Sequence, residues 1–464
     1  MSGWTKLPQT VTLSEEIAQL ESNMSHWPNE SSVSKQLYDR ALEVMPGGIT
    51  RNQPWQEPFP IYAARGEGAY VFDVDGTKRL DLLNNFASLV HGHAHPEVVE
   101  KVRERVGLGT AFTLPTEAEI LLAETLTRRV ERFEWVRFSN SGSEAVMCAI
   151  KAARALTGRP KLVKLEGAYH GSYDFAEVSL DSNPENWGNE PRSVGFSAGV
   201  PQGILNDVIV IPFNDVETAE RIIRASREDI AAILIDTNPS YLGFAPISPA
   251  FAEMVRRVSR DIGALLILDE VITFRLHVGG AQSLYGIEPD LTCLAKIIGG
   301  GLPIGAVAGP RDVMKVFDHR QGKPLLPWSG TFTGNPVSTV AGSVSLELLT
   351  KEMIDHIGRL GAHLRDELSK VMEKTGFPGQ VTGVGSMFKI CGHQRPITDY
   401  RSAYHNPSEA KTLRLLQGQL VRESYHVSSA GLGFLSTPMS LDDIDGFIQA
   451  TERAIHALEP ELQG

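Results

Sequence analysis

Cysteine is scarce in this chain, which has only Cys148, Cys293 and Cys391, widely separated and without a C-x-x-C pair. That excludes a disulfide-built scaffold and a cysteine zinc ribbon, and it fits structural thiols in a reducing compartment. Long hydrophobic runs are missing as well. No apolar stretch reaches the roughly 18 residues of a spanning helix, so no membrane partner is expected. Clustered positive charge is also absent. Lys and Arg number 44 against 56 Asp and Glu, for a net charge of −12. Neutralising a phosphate backbone needs basic clusters, so nucleic acid is not an expected partner. The opening segment MSGWTKLPQTVTLSEE lacks the apolar core of a secretory signal, and a cytoplasmic protein is expected. There is no internal repeat and no low-complexity tract.

What is present is an alternating pattern. The 464 residues, 42% hydrophobic, leave room for two or three domains, or for one large α/β unit with an appendage. Residues 1 to about 30 read as an extension with a short helix around Leu13–Glu21. Ser34–Val44 has helical periodicity and stops at Pro46-Gly47-Gly48. In GAYVFDVDGTKRLDLL two apolar runs flank Asp75-Gly76, a hairpin signal. Seven short β-rich runs follow, at Trp135–Asn140, Lys161–Glu166, Val208–Phe213, Ala231–Asp236, Ala264–Glu270, Leu291–Lys296 and Gly305–Gly309. Most are continuously apolar, as strands buried on both faces are. Helical patterns such as Glu144–Leu156, Val216–Ser226 and Ala250–Ile262 separate several of them. The pattern predicts an α/β fold with a mostly parallel sheet covered by helices. Helices are expected again at Val340–Leu349, Met353–Thr375 and Leu441–Leu458.

In such sheets ligands lie beyond the carboxyl ends of the strands, so the polar residues there are the ones to inspect. Lys296 closes the run DLTCLA and precedes Gly299-Gly300-Gly301. Desolvation lowers the pKa of a buried lysine and leaves an amine able to form a Schiff base; a snorkelling surface lysine is the alternative. Ser141-Gly142-Ser143-Glu144 opens a helix after a strand, with capping-box spacing between Ser141 and Glu144. Unpaired N–H groups and small hydroxyls suit an anion such as phosphate, although an ordinary cap has the same sequence. This turn has no G-x-G-x-x-G, and G-x-x-x-x-G-K-[ST] occurs nowhere. Tyr169 and His170 follow another strand, where an aromatic can stack on a planar ring and a histidine can add polar contact. Asp269 ends the run ALLILD, and a buried carboxylate needs a partner. A protonated ring nitrogen would serve, with Val271 against the ring's other face; a Mg²⁺ or a salt bridge is the competing account. Together these describe a pyridoxal 5′-phosphate site.

NSGSEA, GAYHG, LLILDEV, PDLTCLAKIIGGGLPIGA and SGTFTGNP together resemble the class III aminotransferases, of pyridoxal phosphate-dependent fold type I. The likeness runs from about Leu37 to Phe447. It is most similar to the branch of the glutamate-1-semialdehyde aminomutases and β-amino acid aminotransferases, through PGG near residue 47, GHAHPEV at 92–98 and KIIGGGLPIGA at 296–306. The resemblance implies a large cofactor domain over 76–335. It also implies a small α+β domain formed by 336–464 with part of 1–75, and a homodimer with its active sites at the interface. By the same resemblance Ser141, Gly142 and Ser143 hold the phosphate, with His170 beside Tyr169, which stacks on the ring. Asp269 pairs with the ring nitrogen, Lys296 is the Schiff-base lysine, and Thr331 reaches the phosphate of the neighbouring subunit.

Transamination needs little beyond these parts. The expected partners are a small-molecule amino donor, either an amine or a β-amino acid, and an oxo acid or aldehyde acceptor. Aminomutation by a glutamate-1-semialdehyde 2,1-aminomutase is the alternative, using the same parts with the intermediate kept enclosed. Arg51, in GGITRNQPWQEPFPI, is the candidate carboxylate clamp, since guanidinium binds carboxylate as a bidentate fork. A surface arginine is the other reading. The β-amino acid aminotransferases have an arginine at the matching place, and DEVITFRL also resembles theirs. Phe86 is expected to line the pocket, where the aminomutases have tryptophan, and Trp55 is a further candidate for its wall. Asp236-Thr237 stands where the family usually has Glu-Pro, and SSAGLGFLSTP lacks the arginine found there in the β-amino acid branch. The long stretch Gly171–Asn206 is expected to gate the site. His91, His93 and His95 suggest a metal, but no Cys or acidic ligand adjoins them, and the similar families carry such a run without metal. A non-catalytic regulator module would need a basic DNA-binding segment, which is lacking. Another reaction on the same cofactor, such as racemisation or decarboxylation, stays open.

Overall fold

The computed structural model describes residues 27–51, 56–320 and 322–462. The expected helix around Leu13–Glu21 and the side chain of Trp55 lie outside the described residues. Three short strands come first: β1 (Ala63–Glu67), β2 (Tyr70–Asp73) and β3 (Lys78–Asp81). All seven expected runs then form strands: β4 (Trp135–Ser139), β5 (Lys161–Leu165), β6 (Val208–Ile211), β7 (Ile230–Ile235), β8 (Leu265–Asp269), β9 (Leu291–Ala295) and β10 (Gly305–Gly309). They make one sheet in the order β4-β10-β9-β8-β7-β5-β6. Only β10 runs against its neighbours β4 and β9; the pairs from β9 to β6 are parallel. The α/β class and mostly parallel sheet expected from the sequence are therefore what the chain forms.

The reason lies in burial on both faces. All six residues of β7, IAAILI, are buried. One face of the sheet is covered by the helix Gly142–Thr157, whose Ala145, Ala149 and Ile150 cluster with Leu234, Ile267 and Val307. On the other face lies the helix Pro249–Ile262, whose Phe251, Val255 and Val258 cluster with Ile233, Leu266 and Leu268. That helix begins where Ser248 accepts a hydrogen bond from Phe251 N–H and Pro249 takes the first position, and it ends at left-handed Gly263.

The hairpin falls where Asp75-Gly76 predicts it. Tyr70 pairs with Leu80 and Phe72 with Lys78. Asp73 closes the turn by accepting from the N–H groups of Asp75 and Thr77. A C-terminal strand, β13 (Tyr425–His426), adds in parallel to β3. The strands β11 (Gln380–Thr382), β12 (Met387–Cys391) and β14 (Leu432–Phe434) form a separate antiparallel sheet. The helix Pro96–Val106 was not expected; none of its residues is fully buried, but Val98, Val99 and Val102 form a half-buried stripe at helical spacing. The three cysteines are buried and unpaired. Among the described residues no helix is long and apolar enough to cross a membrane.

Candidate active site

β4, β5, β7, β8 and β9 are parallel and bring their carboxyl ends to one rim. A cavity of about 570 Å³ opens there. It is lined by Ser141, Gly142, Ser143, Tyr169, His170, Asp269, Val271, Lys296 and Arg51, nine of the eleven residues singled out from the sequence. The two it does not gather are Phe86 and Thr331.

Lys296 follows β9 at once and opens a 3-10 turn, Lys296–Gly299. Its φ is +52°, a region that costs a non-glycine residue energy and persists only where the surroundings enforce it. The buried Ile297 and Ile298 enforce it. So does Gly300, where any Cβ would stand 2.4 Å from the Ala341 carbonyl oxygen. Burial lowers the Lys296 pKa to about 8, against the opposing pull of Asp269 and Asp236. Its amine therefore loses its proton more readily than an exposed lysine does.

Asp269 is the last residue of β8. Its Oδ1 accepts from Val271 N–H at 2.9 Å, and its Oδ2 lies 2.7 Å from His170 Nδ1. The His170 side chain is fully buried, and burial lowers its pKa. Its Nε2 is buried with no partner.

The helix Gly142–Thr157 starts against this wall. Ser141 caps it by accepting from Glu144 N–H at 3.1 Å, and Glu144 accepts from Asn140 N–H at 2.6 Å. The N–H groups of Gly142 and Ser143 sit in the first turn, without helical acceptors, beside the positive end of the helix dipole. Gly142 lets the turn approach closely: a Cβ there would stand 3.2 Å from Val271 and 3.4 Å from Ala295 Cβ, so those neighbours would have to give by a few tenths of an ångström. The cavity thus has an anion-accepting end at Ser141–Ser143, a carboxylate on its floor at Asp269 and an amine at Lys296. That donor set fits pyridoxal phosphate, whose phosphate, ring nitrogen and aldehyde ask for those three groups. Tyr169 lies at the mouth, 40% exposed, and stacks on Tyr241 with centroids 6.4 Å apart.

Arg51 reaches the cavity from the N-terminal loop, and its Nη1 donates to Asn85 Oδ1 at 2.8 Å. Asn85 belongs to an unusual turn. Asn84, Asn85, Phe86 and Ala87 have φ of +49°, +48°, +54° and +71° in succession. A left-handed turn costs about 1–2 kcal/mol per non-glycine residue, so it needs external support. Asp81 accepts from the Leu83 and Asn84 N–H groups at 2.9 Å. The Asn84 amide donates to the Phe434 carbonyl. The fully buried guanidinium of Arg275 donates to the carbonyls of Ala87 and Leu435 and to Ser386 Oγ; burial lowers its pKa to about 9. Phe86 is half-buried and packs on a cluster of Leu83, Ala87, Phe244 and Leu276.

Thr331 lies in the exposed stretch 329–332, and residues 329–336 line a separate surface cavity with Phe112 and Leu114. Of the alternating histidines, His93 points apart and pairs with Asp81, while His91 bonds Thr437 and the Ser345 carbonyl and packs edge-on against His95 with centroids 5.6 Å apart. The stretch Gly171–Asn206 is fastened rather than loose. Arg401 donates to the carbonyls of Trp187, Gly188 and Asn189 and pairs with Glu166, while Tyr400 donates to the Ser182 carbonyl. Asn85, Ser88 and Asp236 also line the cavity but were not singled out as site residues. Asp236 had the same signal as Asp269, a carboxylate after an apolar run. Asn85 had only its tolerance of left-handed backbone, a weak sign.

The family model described as aminotransferase class-III matches residues 52–409. The glutamate-1-semialdehyde 2,1-aminomutase of Aeropyrum pernix is 41% identical over 435 residues, 93% of this chain and 97% of the relative. That of Heliobacterium modesticaldum is 39% identical, covering 92% and 98%. Among solved structures, an omega-transaminase from Sphaerobacter thermophilus matches with a TM-score of 0.91 at 46% identity, over 93% of this chain and 99% of that one. A beta-phenylalanine aminotransferase from Variovorax paradoxus matches with a TM-score of 0.83 at 31% identity, covering 97% and 99%.

Proposed function

The chain belongs to the class III aminotransferases, pyridoxal phosphate-dependent transaminases of fold type I, and from that premise we propose that it moves an amino group from a β-amino acid to an oxo acid or aldehyde. Bound pyridoxal phosphate supplies an electron-poor ring that takes up the charge left when the amine-bearing carbon loses its proton. The residue roles are part of the proposal. Ser141, Gly142 and Ser143 hold the phosphate through first-turn N–H groups and hydroxyls. Asp269, backed by His170, keeps the ring nitrogen protonated. Tyr169 and Val271 cover the ring faces. Lys296 is the covalent anchor and the base that removes and returns the proton. The domain division at 75/76 and 335/336 belongs to the same reading.

One observation carries the substrate class: Arg51 lines the cavity that holds Lys296, with its guanidinium steadied by Asn85. A guanidinium there suits a donor carboxylate set apart from the amine-bearing carbon, as in a β-amino acid. The likeness to the Variovorax beta-phenylalanine aminotransferase supports it. Arg51→Ala should cut kcat/KM on a β-amino acid about tenfold to a hundredfold, the effect of removing a charged hydrogen-bond partner. An amine of the same skeleton without the carboxylate should be little affected. Asn85→Ala should show the same selectivity with a smaller loss. If both substrates fall equally, Arg51 is not the clamp.

The second reading, a 2,1-aminomutase, draws support from the relatives in Aeropyrum and Heliobacterium that bear that name. It predicts that glutamate 1-semialdehyde is rearranged without a second substrate.

We also propose a homodimer in which Thr331 serves the partner's cofactor. The support is an exposed apolar surface around Leu114 (76% exposed) and Phe332 (61% exposed) beside Thr331. Mixing Lys296→Ala with Thr331→Ala chains would then put both lesions in one site of each mixed dimer and leave the other intact. Activity above that of either parent is expected. Activity no higher than the parents would show that Thr331 does not act across subunits.

A further inference from the structure

One more ionisable side chain lines the cavity. Asp236 follows β7 directly, as Lys296 follows β9. β7 and β8 are parallel neighbours in which Ile235 stands opposite Leu268. One position further along, Asp236 therefore stands beside Asp269, and register partners in a sheet face the same side. Asp236 is 8% exposed. Its Oδ1 accepts from Asn238 N–H at 2.9 Å. Asp269 has the stronger setting, with Val271 N–H on one oxygen and His170 on the other. The charged and titratable groups acting on Asp236 are Asp269 and Glu270 at the end of β8, Lys296 after β9, and Tyr285 on the helix Gly280–Tyr285. Adjacent buried carboxyls facing a single amine do not all ionise together.

We propose that Asp236 is a positioning residue of this site, an uncharged acid at neutral pH that leaves Asp269 as the one carboxylate charge facing Lys296. The proposal rests on the roles given above to Asp269 and Lys296. Burial first, and then the charge of Asp269, push Asp236 up to about 8, with Lys296 pulling the other way. Below that pH its O–H is available as a donor inside the cavity. Above it, a second negative charge appears beside Asp269. That charge strengthens the hold of Lys296 on its proton and spoils it as a base. An alkaline fall in activity therefore belongs to Asp236.

Infrared spectra of the apoprotein, isotope-labelled at its aspartate carboxyl carbons, test the charge state and separate Asp236 from Glu270. Wild type at pH 7 should show a protonated aspartate C=O stretch that fades as pH passes about 8 and is missing from Asp236→Asn. In the holoenzyme, the alkaline limb of kcat/KM should shift or vanish in Asp236→Asn. The absence of a protonated aspartate in wild type at pH 7 would overturn the proposal, and that spectrum needs no variant. A band without any change in the limb would overturn the positioning role. The infrared result does not depend on which lysine holds the cofactor, so failure here and failure of the Lys296 assignment are distinguishable.

Discussion

Replacing Lys296 with alanine should abolish turnover. The loss expected is on the order of a millionfold, or about 8 kcal/mol of barrier, because one side chain serves as both anchor and base. The fold should survive. The phosphate end at Ser141–Ser143 lies on another element, and the buried Ile297 and Ile298 that fix the turn remain. The variant should still take up pyridoxal phosphate, but dialysis should remove it more readily. Borohydride reduction of the wild type followed by peptide mapping should find the reduced cofactor on Lys296. Finding it on any other lysine would remove the basis of the assignment.

Asp269→Asn should leave the cofactor bound and slow proton removal about a thousandfold, some 4 kcal/mol. The amide keeps the carboxylate's shape and can still accept from Val271 N–H. It brings no negative charge, however, and so does not hold a proton on the ring nitrogen as a carboxylate does. His170 then loses its charged partner at 2.7 Å, which is why the effect should exceed the loss of one hydrogen bond. Single-turnover rates report it without interference from product release. A rate within a few-fold of wild type would mean that Asp269 does not govern the ring.

Most of this cavity was legible in the sequence because strand ends carry their own markers. Asp269 and Lys296 each terminate an apolar run, and Ser141 and Glu144 keep capping-box spacing. All of them meet on the rim where parallel strands place their ligands. The seven strands were legible for the same reason, since burial on both faces writes a continuous apolar run. What the sequence concealed depends on backbone form and tertiary support. The two asparagines of NNFA tolerate left-handed backbone, but nothing there announces four such residues in succession. The turn is held by Asp81, three residues before it, and by Phe434 and Arg275 from distant parts of the chain, and it places Asn85 rather than Phe86 on the cavity wall. Gly171–Asn206 looked like a gate from its length alone, but its backbone carbonyls are tied down by Arg401 and Tyr400 some two hundred residues later. The helix Pro96–Val106 was missed although Val98, Val99 and Val102 keep helical spacing, because its stripe is narrow and only half-buried among charged residues.

The central claim is that the amino group leaves one molecule and arrives on another, and nitrogen tracing tests it most directly. Purified holoenzyme would be given a β-amino acid carrying isotopically labelled nitrogen, together with an unlabelled oxo acid, and both products followed by mass spectrometry. The account predicts that the label appears on the skeleton of the oxo acid, while the donor becomes a β-oxo acid and the rate depends on Arg51. Label that stays on the donor's own skeleton, or no transfer from any β-amino acid while glutamate 1-semialdehyde is rearranged unaided, would contradict it.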